Sequence, residues 1–261
     1  MRSLSIGATG MLAQQLNVEV ISHNIANMNT TGYKRRRVEF QDLLYQNYRQ
    51  VGADSSDQGT QVPVGVQVGL GVKAAGVYRI AESGNMTQTK NSLDVAINGT
   101  GYFQVAMPSG ETAYTRSGSF QLSSQGQLVT VDGYTVQPGI TVPAGTVSVT
   151  INGSGQVLAK VDGQTDLNNV GQVQLATFTN EAGLRAVGDN LLMETAASGG
   201  PQVGNAGAAG YGQLQQGFLE SSNVNVVEEI TNLITAQRAY EMNSKVIETS
   251  DQMMAAVSNI R

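Results

Sequence analysis

Two features near the N-terminus of the sequence have residue types that could carry chemistry. His23 is the only histidine, and Lys34, Arg35, Arg36 and Arg37 form a run of four cations. A histidine can bind a metal ion or act as a general base, and a run of cations can neutralise phosphates. Each possibility depends on whether the rest of the chain supplies the companion residues.

His23 lacks the companions of a catalytic or metal site. The chain has no cysteine, and neither an H-E-x-x-H nor a G-x-S-x-G motif occurs. The glycine-rich stretch from Gly65 to Gly71 is not followed by the GK[ST] of a phosphate loop, so we interpret it as a turn-rich strand pair. We therefore predict no catalytic, metal-binding or cofactor-binding residue, and we place His23 on a helix surface or interface.

The basic run does not make the chain a general polyanion binder. Only 15 Lys and Arg stand against 20 Asp and Glu, which gives a net charge of −5, whereas nucleic-acid-binding proteins are normally basic overall. Two interpretations stay open. Lys34 to Arg37 form a solvated run beyond a helix C-terminus, where the helix dipole favours cations, or they meet carboxylates on neighbouring subunits.

The C-terminal segment has the features of one long helix. Neither Gly nor Pro occurs after Gly217, and Asn225 is followed three residues later by Glu228, as in a capping box. We predict a helix from about Val226 to about Ser258, which is roughly 50 Å long at 1.5 Å per residue.

Both ends of the chain carry apolar residues at heptad spacing. These predicted assembly seams are Leu4, Met11, Val18, Ile25, Val226, Leu233, Tyr240, Ile247 and Met254. Heptad spacing is typical of coiled coils. If the two helices paired only with each other, a wide apolar face of the N-terminal helix would stay exposed, so we predict burial against other subunits.

A second stripe of the C-terminal helix, displaced by three residues, is largely polar. It consists of Glu229, Ala236, Asn243, Ser250 and Val257. We expect this stripe to meet side chains of neighbouring subunits rather than a dry two-helix core.

The middle of the chain has the sequence pattern of β-strands joined by tight turns. Asn-Gly or Asp-Gly pairs at Asn98, Asp132, Asn152 and Asp162 stand between β-branched runs, and each is a hairpin signal. We predict an antiparallel β domain over about residues 71–220. The stretch before it, from about residue 45 to 72, fits either a linker or a long β-hairpin.

The N-terminus lacks the apolar core of a cleaved signal peptide, and no window approaches the roughly 20 apolar residues of a membrane span. We therefore expect a chain that is cytosolic or that leaves the cell without signal cleavage.

Three stretches resemble one known family. "SHNIANMNTTGYKRR" is similar to the N-terminal signature of bacterial flagellar axial proteins, which are rod, hook and hook-junction subunits, and "GFLESSNVNVVEEITNLITAQRAYEMNSKVIETSDQMM" is similar to their C-terminal signature. "SLDVAINGTGYFQV" also fits. The N-terminal match rests on Asn24, Asn27, Thr30, Gly32 and Tyr33, and Gly32 suits a positive φ after the helix.

The resemblance implies an α+β fold. Its terminal helices form an α-helical coiled-coil domain from residues 1–30 and 224–261. A mainly antiparallel β domain over residues 73–223 is inserted between them, and residues 31–72 connect the two. Such subunits are exported unfolded through the flagellar type III channel and polymerise into a helical tube, with the helices inside and the β domain outside.

Within the family, the chain is most similar to subunits of the distal rod. The similarity lies in a segment from about Tyr45 to Val72 that includes Pro63, Gly65, Gly69 and Gly71. The function implied is a rigid, non-enzymatic structural tube that spans the periplasm, transmits torque and houses the export channel. The implied partners are copies of the chain itself, proximal rod and hook subunits, periplasmic and outer-membrane ring proteins and a rod cap, with no cofactor, nucleic acid or membrane insertion.

Other assignments stay open at this point. A proximal rod or hook-type axial subunit is the alternative within the family. Outside it, the sequence also fits a secreted β-rich binding protein or hydrolase with a coiled-coil stalk.

Overall fold

A computed structural model describes residues 2–52, 63–163 and 166–258. The chain divides into two compact units. We call Met1–Ile25, Arg36–Tyr78 and Val226–Arg261 the helical unit, and Ala26–Arg35 with Arg79–Asn225 the β unit.

The helical unit contains the two long helices, α1 (Arg2–Ala26) and α2 (Val226–Ser258). The sequence prediction for α2 is confirmed at both of its ends. Its first turn carries Glu228 and Glu229, where anions are favoured by the helix dipole.

Four strands complete the helical unit: β1 (Arg36–Asp42), β2 (Tyr45–Arg49), β3 (Val66–Gly69) and β4 (Val72–Arg79). β1 pairs with β4, and β2 pairs antiparallel with β3, with Tyr45 opposite Gly69. The segment is therefore a long β-hairpin and not a linker. Residues 53–62 of the predicted distal-rod-type segment lie outside the described residues.

Sixteen further strands are described in the β unit, most of them short. They are β5 (Met86–Gln88), β6 (Val95–Asn98), β7 (Tyr102–Ala106), β8 (Thr112–Thr115), β9 (Phe120–Leu122), β10 (Leu128–Thr130), β11 (Thr135–Val136), β12 (Thr146–Ile151), β13 (Gln156–Val161), β14 (Asn168–Gln172), β15 (Gln174–Thr177), β16 (Arg185–Gly188), β17 (Leu191–Met193), β18 (Gln202–Asn205), β19 (Gln213–Gln216) and β20 (Phe218–Glu220). A short 3₁₀ helix covers Glu181–Gly183.

These strands form one large antiparallel sheet and several small ones. The large sheet has nine strands in the order β16-β17-β8-β7-β11-β10-β9, and β15 joins β18 to β7. β12, β13 and β14 form a three-stranded sheet, while β19 pairs with β6 and β20 with β5. The predicted antiparallel β domain is thus confirmed.

The core of the β unit draws residues from most of its length. Phe103 and Phe120 meet edge to face, with ring centroids 5.0 Å apart, and both rings are fully buried beside Ile97 and Leu175. Burying side chains of this size contributes about 1.5–3 kcal/mol each, so this core is the main source of the unit's stability.

The hairpin predictions succeed where the local turn decides the pairing. β10 pairs with β11 across Asp132-Gly133, β12 pairs with β13 across Asn152-Gly153, and β13 pairs with β14 across Asp162-Gly163.

The hairpin predicted at Asn98-Gly99 is wrong. β6 pairs with β19, more than a hundred residues later, and β7 pairs with β8, β11 and β15. The chain between β6 and β7 bends around the guanidinium of Arg116, which donates hydrogen bonds to the carbonyls of Ile97, Gly99 and Gly101. A long-range contact therefore overrides the local turn signal.

Candidate assembly site

Asn24 holds the end of α1 to the start of β1. Its side-chain Nδ2 donates to the carbonyl of Arg36 at 2.8 Å, and its Oδ1 accepts from the Arg36 N–H at 2.9 Å. The residue is 1% exposed. An amide side chain can satisfy a backbone donor and acceptor at once, which explains an Asn at this position.

The motif residues after α1 form a tight turn. The hydroxyl of Thr30 donates to Asn27 Oδ1 at 3.1 Å, and the N–H of Tyr33 bonds to the Thr30 carbonyl. Gly32 has φ +67°, and a Cβ there would lie only 2.8 Å from the carbonyl carbon of Arg116. The predicted positive φ is confirmed, and the close approach of the Arg116 backbone adds a second reason for glycine.

A cluster of three buried charges lies in the β unit, and we call Lys34, Arg116 and Glu220 the buried charge cluster. Lys34 Nζ lies 2.6 Å from Glu220 Oε1, and Arg116 Nε lies 2.5 Å from Glu220 Oε2. The three side chains are between 0% and 7% exposed. The N–H of Gly84 also donates to Glu220 Oε1, and Lys34 donates to the carbonyl of Glu82. Each carboxylate oxygen thus has a charged partner.

Opposing effects set the ionisation of this cluster. Burial by itself raises the pKa of the Glu220 carboxyl, but the Arg116 and Lys34 cations outweigh burial and hold this pKa below its usual value. Burial also lowers the pKa of Lys34, and its hydrogen bond to Glu220 opposes that shift. Glu220 is therefore held as a carboxylate by its two cations.

Asn223 braces the same region through its side chain. Its Oδ1 accepts from the N–H of Arg35 at 2.7 Å, and its Nδ2 donates to the carbonyls of Ile80 and Glu82. Arg35, at the end of the first stretch of the β unit, and Asn223, at the end of the second, are thereby tied to residues 80–82 at the start of the second stretch.

The basic run is not one solvated surface, and that expectation is wrong for its first member. Lys34 is buried on Glu220 of its own chain, so it is not available to a neighbouring subunit. Arg35 and Arg36 are half-buried, and only Arg37 is exposed, where it pairs with Glu39 at 3.0 Å. Side chains alternate between the two faces of an extended strand. The four cations, which lie in β1 and in the residues just before it, therefore have different surroundings.

The helices α1 and α2 approach each other at small residues. A Cβ on Gly7 would lie 2.8 Å from Ile247 Cγ1, and a Cβ on Gly10 would lie 2.8 Å from Asn243 Nδ2. The partner position falls along α2 as the position rises along α1, so the contact is antiparallel. Glycines at these points let larger side chains of α2 rest on the α1 backbone.

The predicted seam residues fall into two groups. Eight of them are half-buried, namely Leu4, Met11, Val18, Ile25, Val226, Leu233, Ile247 and Met254. Tyr240, by contrast, is 43% exposed. Tyr240 is therefore the member of the heptad row that lies most open to solvent.

The second stripe of α2 does not behave as expected from its polarity. Glu229, Ala236 and Ser250 are at most 5% exposed within the single chain, and Asn243 lies against Gly10. The expectation that this stripe meets neighbouring subunits is wrong for these residues, because the same chain already covers them. The side chain of Val257 lies outside the described part.

A different set of apolar residues on α2 is exposed. Its large members are Val227, Ile230, Ile234, Tyr240, Met242, Val246 and Met253. So many exposed apolar side chains on one helix mark a surface for interaction.

The hairpin of the helical unit also lies along α1. The N–H of Val72 approaches Thr9 Oγ1 at 3.4 Å, and Arg2 lies over the ring of Tyr48 with its Cζ 4.5 Å from the centroid. β2 is exposed along its whole length, with Leu44 beside it 83% exposed.

The glycines of the predicted distal-rod-type segment serve close approaches within this hairpin. A Cβ on Gly65 would lie 2.5 Å from the carbonyl oxygen of Arg49, and Gly69 lies beneath the ring of Tyr45. Gly71 meets the Thr9 side chain of α1, and Pro63 is exposed.

His23 is exposed near the end of α1. Partial burial, together with the nearby Arg36 cation, lowers its pKa. In the described part of the chain, no three side chains of the ligand types His, Cys, Asp and Glu gather closely enough to hold a metal ion. None of the described helices is both long and apolar enough to span a membrane.

Sequence reasoning missed Arg116 and Glu220. Glu220 lies in the quoted C-terminal signature, but a single Glu has no spacing that predicts burial. Arg116 follows an ordinary strand, and nothing in its sequence neighbourhood distinguishes it from a surface residue. Both depend on contacts more than 100 positions away along the chain.

The fold and the exposed α2 surface define a class of protein: an assembly subunit whose terminal helices form one unit and whose middle forms a β unit. Comparison with known families agrees. Residues 4–34 match the model described as flagella basal body rod protein, residues 96–159 match the flagellar hook protein FlgE/F/G D1 domain, and residues 215–260 match the flagellar basal body rod FlgEFG protein C-terminal model.

Curated relatives match along the whole chain. The chain is 60% identical over 261 residues to the flagellar basal-body rod protein FlgG of Caulobacter vibrioides, with all of both chains covered. It is 46% identical to FlgG of Borreliella burgdorferi, with 100% of this chain and 99% of the relative covered. It is 31% identical to the flagellar hook-basal body complex protein FlhP of Bacillus subtilis, with both chains fully covered. The chain belongs to the flagellar basal-body rod protein family.

The buried charge cluster takes one residue from each matched region. Lys34 lies in the N-terminal match, Arg116 in the D1 match and Glu220 in the C-terminal match. Three segments that are distant in sequence therefore meet at a single carboxylate.

Proposed function

We propose that this structural rod subunit polymerises into a rigid helical tube of the distal rod, which transmits torque and houses the export channel, without any catalytic role. The similarity to FlgG proteins along the whole chain supports the distal position. The observation that best supports polymerisation is the set of large apolar side chains exposed on α2. In a polymer of a rod-family subunit, neighbouring copies can bury these side chains.

Within this proposal the terminal helices form an antiparallel coiled-coil domain. The contacts of Gly7 with Ile247 and of Gly10 with Asn243 support it, as does the heptad spacing of the half-buried seam residues. The proposed division assigns residues 1–30 and 224–261 to an inner helical domain, 31–72 to the connecting segment and 73–223 to an outer β domain.

We also assign the β-hairpin a role in the straightness of the rod. The resemblance to distal-rod subunits lies in this segment, and the exposed side chains of Leu44, Tyr45 and Tyr48 give the hairpin apolar area for contacts with neighbours. Contacts repeated along a polymer resist bending because every bend must break many of them.

The partners that follow from this role are proximal rod subunits, hook subunits, periplasmic and outer-membrane ring proteins and a rod cap. The location that follows is the periplasm-spanning part of the basal body, reached by export without a cleaved signal peptide.

The test is assembly of the purified chain. Increasing protein concentration, with or without short polymer seeds, is expected to yield straight tubes in electron micrographs and a critical concentration in sedimentation. A discrete oligomer of fixed size at all concentrations would instead identify a stalked binding protein.

A further inference from the structure

The last strands of the β unit supply the partners of its first strands. We call residues 202–220, which contain β18, β19 and β20, the closure segment. β19 pairs antiparallel with β6, and β20 pairs antiparallel with β5. In the described part of the chain, β5 and β6 pair with no other strand. Both strands therefore depend on the closure segment for their strand pairing.

The closure segment also completes the apolar core of the β unit. Leu214 is 4% exposed and Ala206 is 2% exposed, and both belong to the buried cluster that contains Phe103 and Phe120. Apolar burial is the main favourable contribution to folding. A chain in which the closure segment is not in place therefore leaves this cluster open to water.

The side chain of Gln216 connects the closure segment to two other parts of the unit. Its Nε2 donates to the carbonyl of Ser92 at 2.6 Å and to that of Val149 at 2.8 Å. Its Oε1 accepts from the N–H of Ile151 at 3.1 Å. Val149 and Ile151 belong to β12, which is an edge strand of the three-stranded sheet, and Ser92 precedes β6. One amide side chain thus holds this sheet to the segment before β6.

The closure segment ends at Glu220, in the buried charge cluster. Without the Glu220 carboxylate, Lys34 and Arg116 lose the counter-charge that they share, and buried cations without a partner are strongly unfavourable. Lys34 lies 186 positions and Arg116 lies 104 positions from Glu220 in sequence. Residues near either cation in sequence do not supply this carboxylate, so the cluster forms only when the closure segment arrives.

Other parts of the β unit do not depend on the closure segment for their pairing. β12 pairs with β13 and β13 pairs with β14, across the turns at Asn152-Gly153 and Asp162-Gly163. Hairpins of this kind are specified by neighbouring residues. The unit therefore combines local hairpins with strands, core residues and charges that need its final residues.

We infer that the closure segment controls the folding of the β unit: a stable closed unit exists only when residues 202–220 are in place, and before that the chain holds only local hairpins. A chain is synthesised from its N-terminus, so the unit stays open until residue 220 of 261 has emerged. This inference concerns the single chain and goes beyond the proposed polymerisation. An open β unit also suits a chain that is exported unfolded.

Hydrogen exchange of the native full-length chain, in rising denaturant below the unfolding transition, tests the inference. The amides of β19 are expected to exchange with the same free energy of opening as those of β6 and β7, because the unit does not persist once the closure segment detaches. If the amides of β7 stay protected where those of β19 have already exchanged, the closure segment is a detachable flap and the inference is wrong.

Gln216→Ala in the full-length chain provides a second measurement. Loss of the three hydrogen bonds of this half-buried amide is expected to accelerate exchange at least about fivefold in β7 and β19 alike. Gln125→Ala, at an exposed turn position, is the control and is expected to leave both strands unchanged. Faster exchange in β19 with no change in β7 would overturn the inference.

Both measurements are made on a dilute chain that has not assembled. Their result therefore does not depend on whether the chain forms tubes, and a failure of the proposed polymerisation leaves this inference in place. Conversely, a detachable closure segment would leave the proposed rod function in place.

Discussion

The Nζ atom of Lys34 lies 2.6 Å from Oε1 of Glu220, although 186 positions separate the two residues in sequence. Both side chains are almost completely enclosed, at 4% and 0% exposure. Lys34 belongs to Ala26–Arg35, the first stretch of the β unit, and Glu220 lies near the end of the second stretch, Arg79–Asn225, so their contact ties the two stretches together. Arg116, from the middle of the chain, also contacts Glu220.

Replacing Glu220 by glutamine is expected to destabilise the β unit strongly. The change leaves Lys34 and Arg116 buried without a counter-charge, and breaking a buried pair in this way costs about 3–5 kcal/mol. Denaturant unfolding of the full chain measures the loss. The matched control is Glu39→Gln, which breaks the solvent-exposed pair with Arg37 and is expected to leave the stability of the chain almost unchanged. Equal effects of the two substitutions would contradict the role given to the cluster.

Arg116→Lys is expected to destabilise the β unit even though it keeps the charge. The guanidinium donates to Glu220 and to the carbonyls of Ile97, Gly99 and Gly101, and a lysine cannot reach this set with its single ammonium. Hydrogen exchange is expected to accelerate at the bend between β6 and β7. Lys34→Met is the comparison, because it leaves Arg116 and Glu220 as a neutral pair and is expected to be milder. A larger loss of stability in Lys34→Met than in Arg116→Lys would show that the cluster depends on the charge of Lys34 and not on the hydrogen bonds of the Arg116 guanidinium.

Acid is expected to weaken the β unit through Glu220. Its pKa in the folded chain lies below the ordinary value of 4.5, so the folded state binds fewer protons than the unfolded state in that range. The stabilising contribution is therefore complete above pH 4.5 and is lost as the pH falls through the folded pKa. Comparing the unfolding free energies of the unaltered chain and of Glu220→Gln between pH 7 and pH 3 isolates the effect. The difference between them is expected to shrink in acid, and a constant difference would count against it.

Much of the fold follows from local sequence signals. The breaker-free run after Gly217 predicts α2, and turns such as Asp132-Gly133 predict hairpins correctly, because neighbouring residues decide both. The bend at Asn98-Gly99 does not follow its local turn signal, because the guanidinium of Arg116 donates hydrogen bonds to the carbonyls of this segment. The same reason hides the buried charge cluster: a lysine in a basic run is normally solvated, and only a distant Glu220 makes its burial possible. Heptad spacing predicts a helical seam but does not tell which contacts lie within one chain.

The heptad seam is expected to be essential for incorporation into the rod. Ile247 rests on Gly7, and Leu233 is half-buried in the same row, so Ile247→Asp or Leu233→Asp places a charge in an apolar contact at a cost of several kcal/mol. Cells that carry only such a variant are expected to lose motility. Gln252→Asp, at an exposed position of the same helix, is the control. Normal motility and normal rod length in the seam variants would refute this assignment.

Deleting residues 46–65 is expected to leave a polymer that bends. The deletion joins Tyr45 to Val66, and because Tyr45 already pairs with Gly69, a three-residue connection is left to close the base of the hairpin. The deletion leaves both strands of the β1–β4 pair in the chain, so a change in the polymer reports on the removed residues rather than on a collapsed helical unit. Electron micrographs of the assembled variant measure its curvature, with the unaltered chain imaged under the same conditions. If tubes of the deletion variant are as straight as those of the unaltered chain, the hairpin does not set the straightness of the rod.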